Sequence, residues 1–189
     1  NQKTAYEILF GDWSSDVCPS DLPSIRVPMI AHCPALTGAT GKVERLVLNI
    51  DIAPTILDAA GAAVPGSMHG RSFLPLLRGM DTEWRTEFLY EYFWERAYAQ
   101  TPTVLGLRSD KYSFMRHHGI WDKYELYDIE NDPDQMNNLL GHVEPTSNHS
   151  DILTWIEEPE LKKLVNDLQE RLFRIVRETG GRIDPTWKG

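Results

Sequence analysis

The stretch HHGIWD, residues 117 to 122, gathers two imidazoles, an indole and a carboxylate around one glycine. Sugar sites commonly combine one aromatic face with one or two polar donors. In that chemistry Trp121 offers a sugar ring its apolar face. His118 donates a hydrogen bond to a hydroxyl or acetamido group. The same residues also make an ordinary loop, with Trp121 packed beneath it and His118 merely exposed. His117 is expected on the exposed side of a strand, and His69, in SMHG, in a solvated turn. Cys18, with Pro19 and Ser20 directly after it, looks like half of a nucleophile signature. The remaining chemistry is sparse. No C-x-x-C, H-E-x-x-H or calcium-loop spacing occurs, nor a glycine-rich phosphate loop, nor a G-x-S-x-G turn. Asp51 and Asp58 read as helix-end or packing residues. Cys33 reads as a small buried apolar side chain, and Arg26 as a partner in a structural ion pair.

Periodicity supplies the elements that must position these groups. IRVPMIAHC, residues 25 to 33, is a short β-branched run that predicts a buried strand. In DIAPTILDAAG, Asp51 can cap a helix, and Pro54 lacks only an N–H that the first turn leaves unpaired. Gly61 suits its C-terminal end. GRSFLPLLRG predicts a short helix or turn with three leucines inward. From residue 86 the period changes. TEFLYEYF, TVLGLRSD, KYSFMRH and YELYDIEND alternate, or run on with aromatic and β-branched residues. With close connections between them, they predict four antiparallel strands. RSDKY is the turn between the middle two, and ENDPDQMNN is a polar turn. Residues 157 to 178 predict a long helix, with Leu161, Leu164, Val165, Leu168, Leu172, Ile175 and Val176 on one face. Gly180 and Gly181 end it. The fold class is therefore α+β, a four-stranded antiparallel sheet packed by a long C-terminal helix. A lone leading strand makes little sense as an edge and is expected to complete a larger sheet.

The bulk numbers bound the function. The 189 residues carry a net charge of −9. An acidic chain without a basic stripe lacks the clustered Lys and Arg that nucleic acid requires. No apolar run approaches membrane-spanning length, so neither nucleic acid nor membrane is an expected partner. Residues 1 to 22 need separate treatment. DWSSDVCPSDL differs in one residue from DWSSDVCSSDL, the translation of a standard indexed sequencing adapter. The opening NQKTAYEI likewise matches the adapter-derived KQKTAYEI but for its first residue. Residues 1–22 are therefore expected to be an adapter-derived scar, set apart from the fold. Cys18 belongs to that scar, and its nucleophile-like setting is accidental. Without the scar the chain remains acidic. Cys33 is then its one cysteine, so no intrachain disulfide forms.

Three stretches in order, IRVPMIAHCPA, NIDIAPTILDAAG and GRSFLPLLRG, resemble the formylglycine-type sulfatases of the alkaline-phosphatase superfamily. LRSDKYSF and ELYDIENDPDQMNNL resemble the C-terminal subdomain of that family. The likeness runs from about Ile25 to Leu140. It implies the C-terminal part of an α/β sulfatase fold: residues 23–80 a remnant of the catalytic domain, and 81–189 the antiparallel subdomain with its terminal helix. It implies a parent enzyme that hydrolyses sulfate esters with a formylglycine nucleophile and calcium. In the family, the nucleophile pattern C-x-P-S-R, the basic active-site residues and the metal ligands precede the I-R-V-P strand. Cys18-Pro19-Ser20-Asp21 departs from that pattern, so no catalytic or metal residue is assigned in this chain, and the chain alone is expected to be inactive. Within the family, YEYFWERAYAQTPTVLGLRSD and the HHGIWD loop are most similar to enzymes of 6-sulfated N-acetylglucosamine, in glycosaminoglycans or mucins. The implied partner is a sulfated glycan, with His118 and Trp121 the candidate contacts. The implied location is periplasmic or extracellular. Two other readings stay open. One is a fragment of a related phosphodiesterase or phosphonate hydrolase. The other is a non-catalytic carbohydrate-binding module.

Overall fold

The computed structural model describes residues 25–35, 41–93, 103–118, 123–143 and 151–181. The predicted scar, residues 1–22, lies outside them, as do Trp121 and the rest of its loop.

Four strands form one antiparallel sheet in sequential order: β1 (Glu87–Tyr92), β2 (Thr103–Ser109), β3 (Tyr112–His118) and β4 (Lys123–Asp128). Sequence placed all four. Asp110 and Lys111 make the predicted turn between β2 and β3. The Ser109 hydroxyl closes it, accepting from the Tyr112 N–H at 2.9 Å and donating to the Tyr112 carbonyl at 3.2 Å. The predicted polar turn after β4 is held by carboxylates: Asp128 accepts from the Glu130 and Asn131 N–H groups, and Asp132 from those of Met136 and Asn137. Asn138 then ties the returning chain to the sheet. Its side chain accepts from the Leu126 and Leu140 N–H groups and donates to the Tyr124 carbonyl.

One sheet face carries Leu89, Leu105, Leu107, Phe114 and Leu126, and the long helix covers it. This helix, here α3 (Pro159–Glu178), buries Val165, Leu168, Leu172 and Val176 at the predicted helical spacing. Leu161, Leu164 and Ile175 are half-buried at its margins. Gly180, at φ 75°, ends it in the left-handed conformation that glycine adopts without strain. Charge fixes the helix on the sheet at one edge: Arg171 donates twice to Glu87 of β1 and Arg174 once. Arg116 of β3 ties the same two layers elsewhere, lying over the rings of Tyr124 and of Phe173 on the helix.

A second, smaller unit precedes the sheet. Helix α1 (Ile52–Ala59) follows a 3-10 turn at Asn49–Asp51, and α2 (Leu74–Leu77) follows a connector. Gly61, at φ 69°, ends α1 as expected. Leu74 and Leu76 are buried and Leu77 is half-buried, so the three leucines do turn inward. Asp51 stands at the N-cap position of α1 as expected, but its side chain turns elsewhere. Its side chain makes no cap bond to that helix. It is fully buried and accepts from Leu48 N–H at 2.8 Å, Arg71 N–H at 2.9 Å and both terminal nitrogens of Arg85. Thr55 and Asp58 of α1 also hold the connector: Thr55 Oγ1 accepts from Phe73 N–H, and Ser72 Oγ donates to Asp58. The connector passes so close that a Cβ on Gly70 would stand 2.0 Å from the Ile50 carbonyl oxygen. Two sequence stretches, one around Asp51 and one beginning at Gly70, are therefore halves of a single structural object. Trp84 caps it, donating to the Leu46 carbonyl while Arg71 and Arg85 flank its ring.

The leading segment differs from expectation. Residues 26–33 form no strand, and Val27 and Ile30 are 67% and 94% exposed. A strand is defined by its ladder, and none of the four strands pairs with this segment. Cys33, expected to be buried, is exposed for the same reason. Arg26 is exposed and forms no ion pair with a described carboxylate. Its charge instead lies close enough to act on Arg108.

Candidate functional site

The predicted sugar contacts sit where β3 leaves the sheet. His118 is the last residue of β3, half-buried, opposite Thr103 in the register. Residues 119–122, with Trp121, bridge β3 to β4 and lie outside the described residues. The structure therefore places one of the two candidates at the predicted strand end. His69 sits exposed in a bend, as expected.

His117 is the residue that sequence reasoning misread. It is 5% exposed, not solvent-facing. Strand alternation puts it on the face opposite the helix, beside Val104 and Lys123. Its Nε2 stands 3.4 Å from Oε1 of Glu125, also 5% exposed. Lys123 Nζ reaches the same oxygen at 3.4 Å, and the Tyr127 hydroxyl donates to the other at 3.4 Å. Burial alone would raise the Glu125 carboxyl, but His117 and Lys123 outweigh it and hold it below the ordinary carboxylate range. A signal was available. Val104-Leu105-Gly106-Leu107 and Phe114-Met115 place apolar residues on consecutive positions, which means that both faces of these strands are covered. A histidine on such a strand has no exposed side to occupy.

This second face is built closely. Gly106 and Met115 are directly paired, and a Cβ on Gly106 would fall 2.0 Å from the Met115 sulfur. Glycine thus leaves the space that the buried methionine fills. Next to that row lie Arg108 and Ser113, again directly paired.

These groups can bind and orient a ligand. They do not fit the metal that the sequence resemblance implies. Among the described residues no three His, Cys, Asp or Glu converge. Asp51, the most buried carboxylate, is already saturated by Arg85 and two N–H groups. No step can be routed through calcium on these residues.

Comparison with known proteins gives this geometry a context. The family model described as "N-sulphoglucosamine sulphohydrolase, C-terminal" matches residues 21–177. An N-acetylglucosamine-6-O-sulfatase of Bacteroides thetaiotaomicron is 29% identical over 149 residues, covering 77% of this chain and 27% of that protein. An N-acetylglucosamine-6-sulfatase of Capra hircus is 32% identical over 152 residues, covering 64% of this chain and 27% of that protein. Among solved structures, BT4656 in complex with its substrate D-glucosamine-2-N,6-O-disulfate superposes with a TM-score of 0.58 at 27% identity. The match covers 75% of this chain and 26% of that one. The chain thus spans about a quarter of the length of these relatives.

Proposed function

The chain belongs to the N-sulphoglucosamine sulphohydrolase C-terminal family, and from that premise we propose that it forms the C-terminal part of a sulfatase acting on sulfate esters of glycans. The substrate class we propose is 6-sulfated N-acetylglucosamine, in glycosaminoglycans or mucins, with the parent enzyme periplasmic or extracellular. The family match over residues 21–177 carries the reading. The matched relatives support the substrate class, since two of them are enzymes of N-acetylglucosamine 6-sulfate by name. In the parent, residues 23–80 would belong to the catalytic domain and 81–189 to the subdomain that borders the substrate. Trp84 and Arg85 would be the joint, since they pack on the earlier unit. Exposed apolar residues on the first part support a larger body beside it. Ile52 and Ile56, one turn apart on α1, are 43% and 62% exposed, more apolar surface than a finished helix face leaves in water. Formylglycine, when present, supplies the parent's nucleophile. The residues of this chain would orient the sugar.

Two experiments test this. The purified 189-residue chain is expected to turn over no aryl sulfate, with or without calcium, because its sequence contains no C-x-P-S-R. Calcium-dependent turnover by pure protein would defeat the reading.

The second experiment uses a full-length sulfatase carrying this sequence as its C-terminal part. A lost neutral hydrogen bond costs about 0.5–1.5 kcal/mol, so His118→Ala is expected to lower kcat/KM for 6-sulfated N-acetylglucosamine roughly 2- to 10-fold. Trp121→Ala, which removes the stacking face, is expected to do so at least as strongly. A small aryl sulfate that does not reach the loop is expected to be spared by both. Equal losses on the two substrates would signal a folding defect. No loss on the sugar would show an exposed histidine and a packing tryptophan instead of a sugar contact.

A further inference from the structure

Arg108 and Ser113 present a problem that the rest of the sheet does not. They are cross-strand partners on β2 and β3, on the face opposite α3. Directly opposed residues stand roughly 5 Å apart at Cβ, so the two side chains leave the sheet side by side. Ser113 is 0% exposed, and its hydroxyl meets no hydrogen-bond partner. The Nη1 of Arg108 is also buried and unpartnered. Folded proteins satisfy nearly all buried polar atoms. Two unpaired buried polar atoms on directly paired residues are therefore unexpected in a core. Phe88 lies beyond Arg108 in the same row, and Tyr127 beyond Ser113.

The donors favour one kind of guest. Arg26 adds a second positive charge close to Arg108, and Asp110, in the β2–β3 turn, acts on Arg108 more strongly in the opposite sense. Asp110 makes no ion pair with Arg108 among the described residues. Burial drives the guanidinium below its ordinary value, Asp110 opposes that shift and Arg26 adds to it. The unpaired donors thus ask for an acceptor, and the guanidinium's own charge favours one that is negative. Guanidinium groups match planar or tetrahedral oxyanions, which take two donors at once. Arg108 is half-buried as a residue, while its Nη1 and the Ser113 hydroxyl are buried, so an oxyanion reaches them from the exposed part of Arg108 only as the side chains around them open.

We propose that Arg108 and Ser113 form a binding site for an oxyanion, the sulfate group of a glycan or a free sulfate ion, on the helix-free face of the sheet. Ser113 and His118 stand near opposite ends of β3, and the proposal does not depend on the catalytic reading.

The test is calorimetric titration of the purified chain, at constant ionic strength, with sodium sulfate, sodium acetate, N-acetylglucosamine 6-sulfate and unsulfated N-acetylglucosamine. Thermal unfolding in the same series gives a second readout. Sulfate stabilises most proteins by exclusion from their surfaces, so only a saturable gain in Tm counts. Saturable binding of sulfate or of the sulfated sugar is expected. Arg108→Gln should weaken it roughly 10- to 100-fold, and Ser113→Ala about 2- to 10-fold, as losses of charged and neutral hydrogen bonds. Tighter binding of the sulfated sugar than of inorganic sulfate identifies a glycan as the source. Equal binding of the two identifies the free ion. Ser113→Ala removes only an unpaired hydroxyl and should fold as the wild type does, which keeps the test decisive if Arg108→Gln does not fold. The proposal is overturned if neither sulfate nor the sulfated sugar shows saturable binding, or if binding survives Ser113→Ala unchanged.

Discussion

Replacing Asp51 by alanine is expected to lower the stability of the chain by about 3–5 kcal/mol, as breaking a buried ion pair from one side does. The carboxylate is fully buried and gathers four donors, two from Arg85 and one each from the Leu48 and Arg71 backbones. Without it the Arg85 guanidinium is left with one acceptor, the Leu46 carbonyl at 3.1 Å, and its positive charge uncompensated. Two N–H groups lose their partners as well. A domain of this size holds about 5–15 kcal/mol in all, so the loss is a large fraction of the total. The measurement is urea unfolding, read as a shift of midpoint at unchanged slope. Replacing Asp51 and Arg85 together should cost less than the two single changes added, because the pair is one interaction. A cost under about 1 kcal/mol for Asp51→Ala would mean that the buried charge is not held as described.

The same residue sets an acid dependence. Burial pushes the Asp51 carboxyl up, but the Arg85 guanidinium and the two backbone N–H groups outweigh it and hold it below the ordinary value. A carboxylate whose folded pKa is depressed contributes stability above its unfolded pKa, about 4. That contribution is lost as pH falls through the folded pKa. The stability difference between wild type and Asp51→Ala should therefore be full at neutral pH and shrink as pH drops below about 4. A difference that stayed constant down to acid pH would remove Asp51 from the titration.

Why sequence reading found the sheet and long helix but missed Asp51 follows from the range of the interactions. The strands and α3 are written in local periodicity. Leu168, Leu172 and Val176 repeat every four residues, and Tyr112 to His118 is bounded by a two-residue turn. Asp51 stands beside a helix start, and its local pattern says cap. Its real partner is Arg85, 34 positions away, and no local spacing announces that contact. The leading segment failed in the opposite sense. Residues 25 to 33 have the composition of a buried strand, but composition cannot supply the neighbouring strand that makes a ladder. Ile30 is accordingly 94% exposed. Of the candidate site, the strand ends that flank the HHGIWD loop were legible, and His118 lies where they put it. The burial of His117 was legible only to a reader who noticed that β2 is apolar at consecutive positions. The Arg108–Ser113 pair could not be read at all, because it depends on the β2–β3 register and on neither Arg108 Nη1 nor the Ser113 hydroxyl finding a partner.

Phe114→Ala is expected to cost about 3–5 kcal/mol, the range for deleting a fully buried aromatic side chain. Phe114 is 0% exposed at the centre of the sheet's helix-facing side, in one cluster with Leu107, Leu126, Leu168 and Leu172. Its ring stacks with Tyr124 at 6.4 Å between centroids, and Tyr124 meets Trp155 edge-on at 6.3 Å. Removing it opens a void between two layers that are each hydrogen-bonded within themselves, so neither can collapse fully into the space. Phe114→Leu keeps most of the volume and is expected to cost about 1.5 kcal/mol or less. Thermal unfolding followed by circular dichroism reads both, with Phe114→Ala losing helical signal at a lower temperature as α3 comes away. Equal costs for the two variants would show that the void, and hence the layer contact, does not matter. The consequence reaches the candidate site through one strand. Phe114 faces the helix, while His117 and His118 end the same strand next to the loop that carries Trp121. A rigid β3 is what would let the imidazole of His118, at its end, and the indole of Trp121, in the four residues that follow, be held at a fixed spacing toward a sugar. In a full-length parent, Phe114→Ala should therefore erode turnover of the sulfated sugar before it erodes turnover of a small aryl sulfate. Phe114→Leu should leave the ratio of the two near that of the wild type.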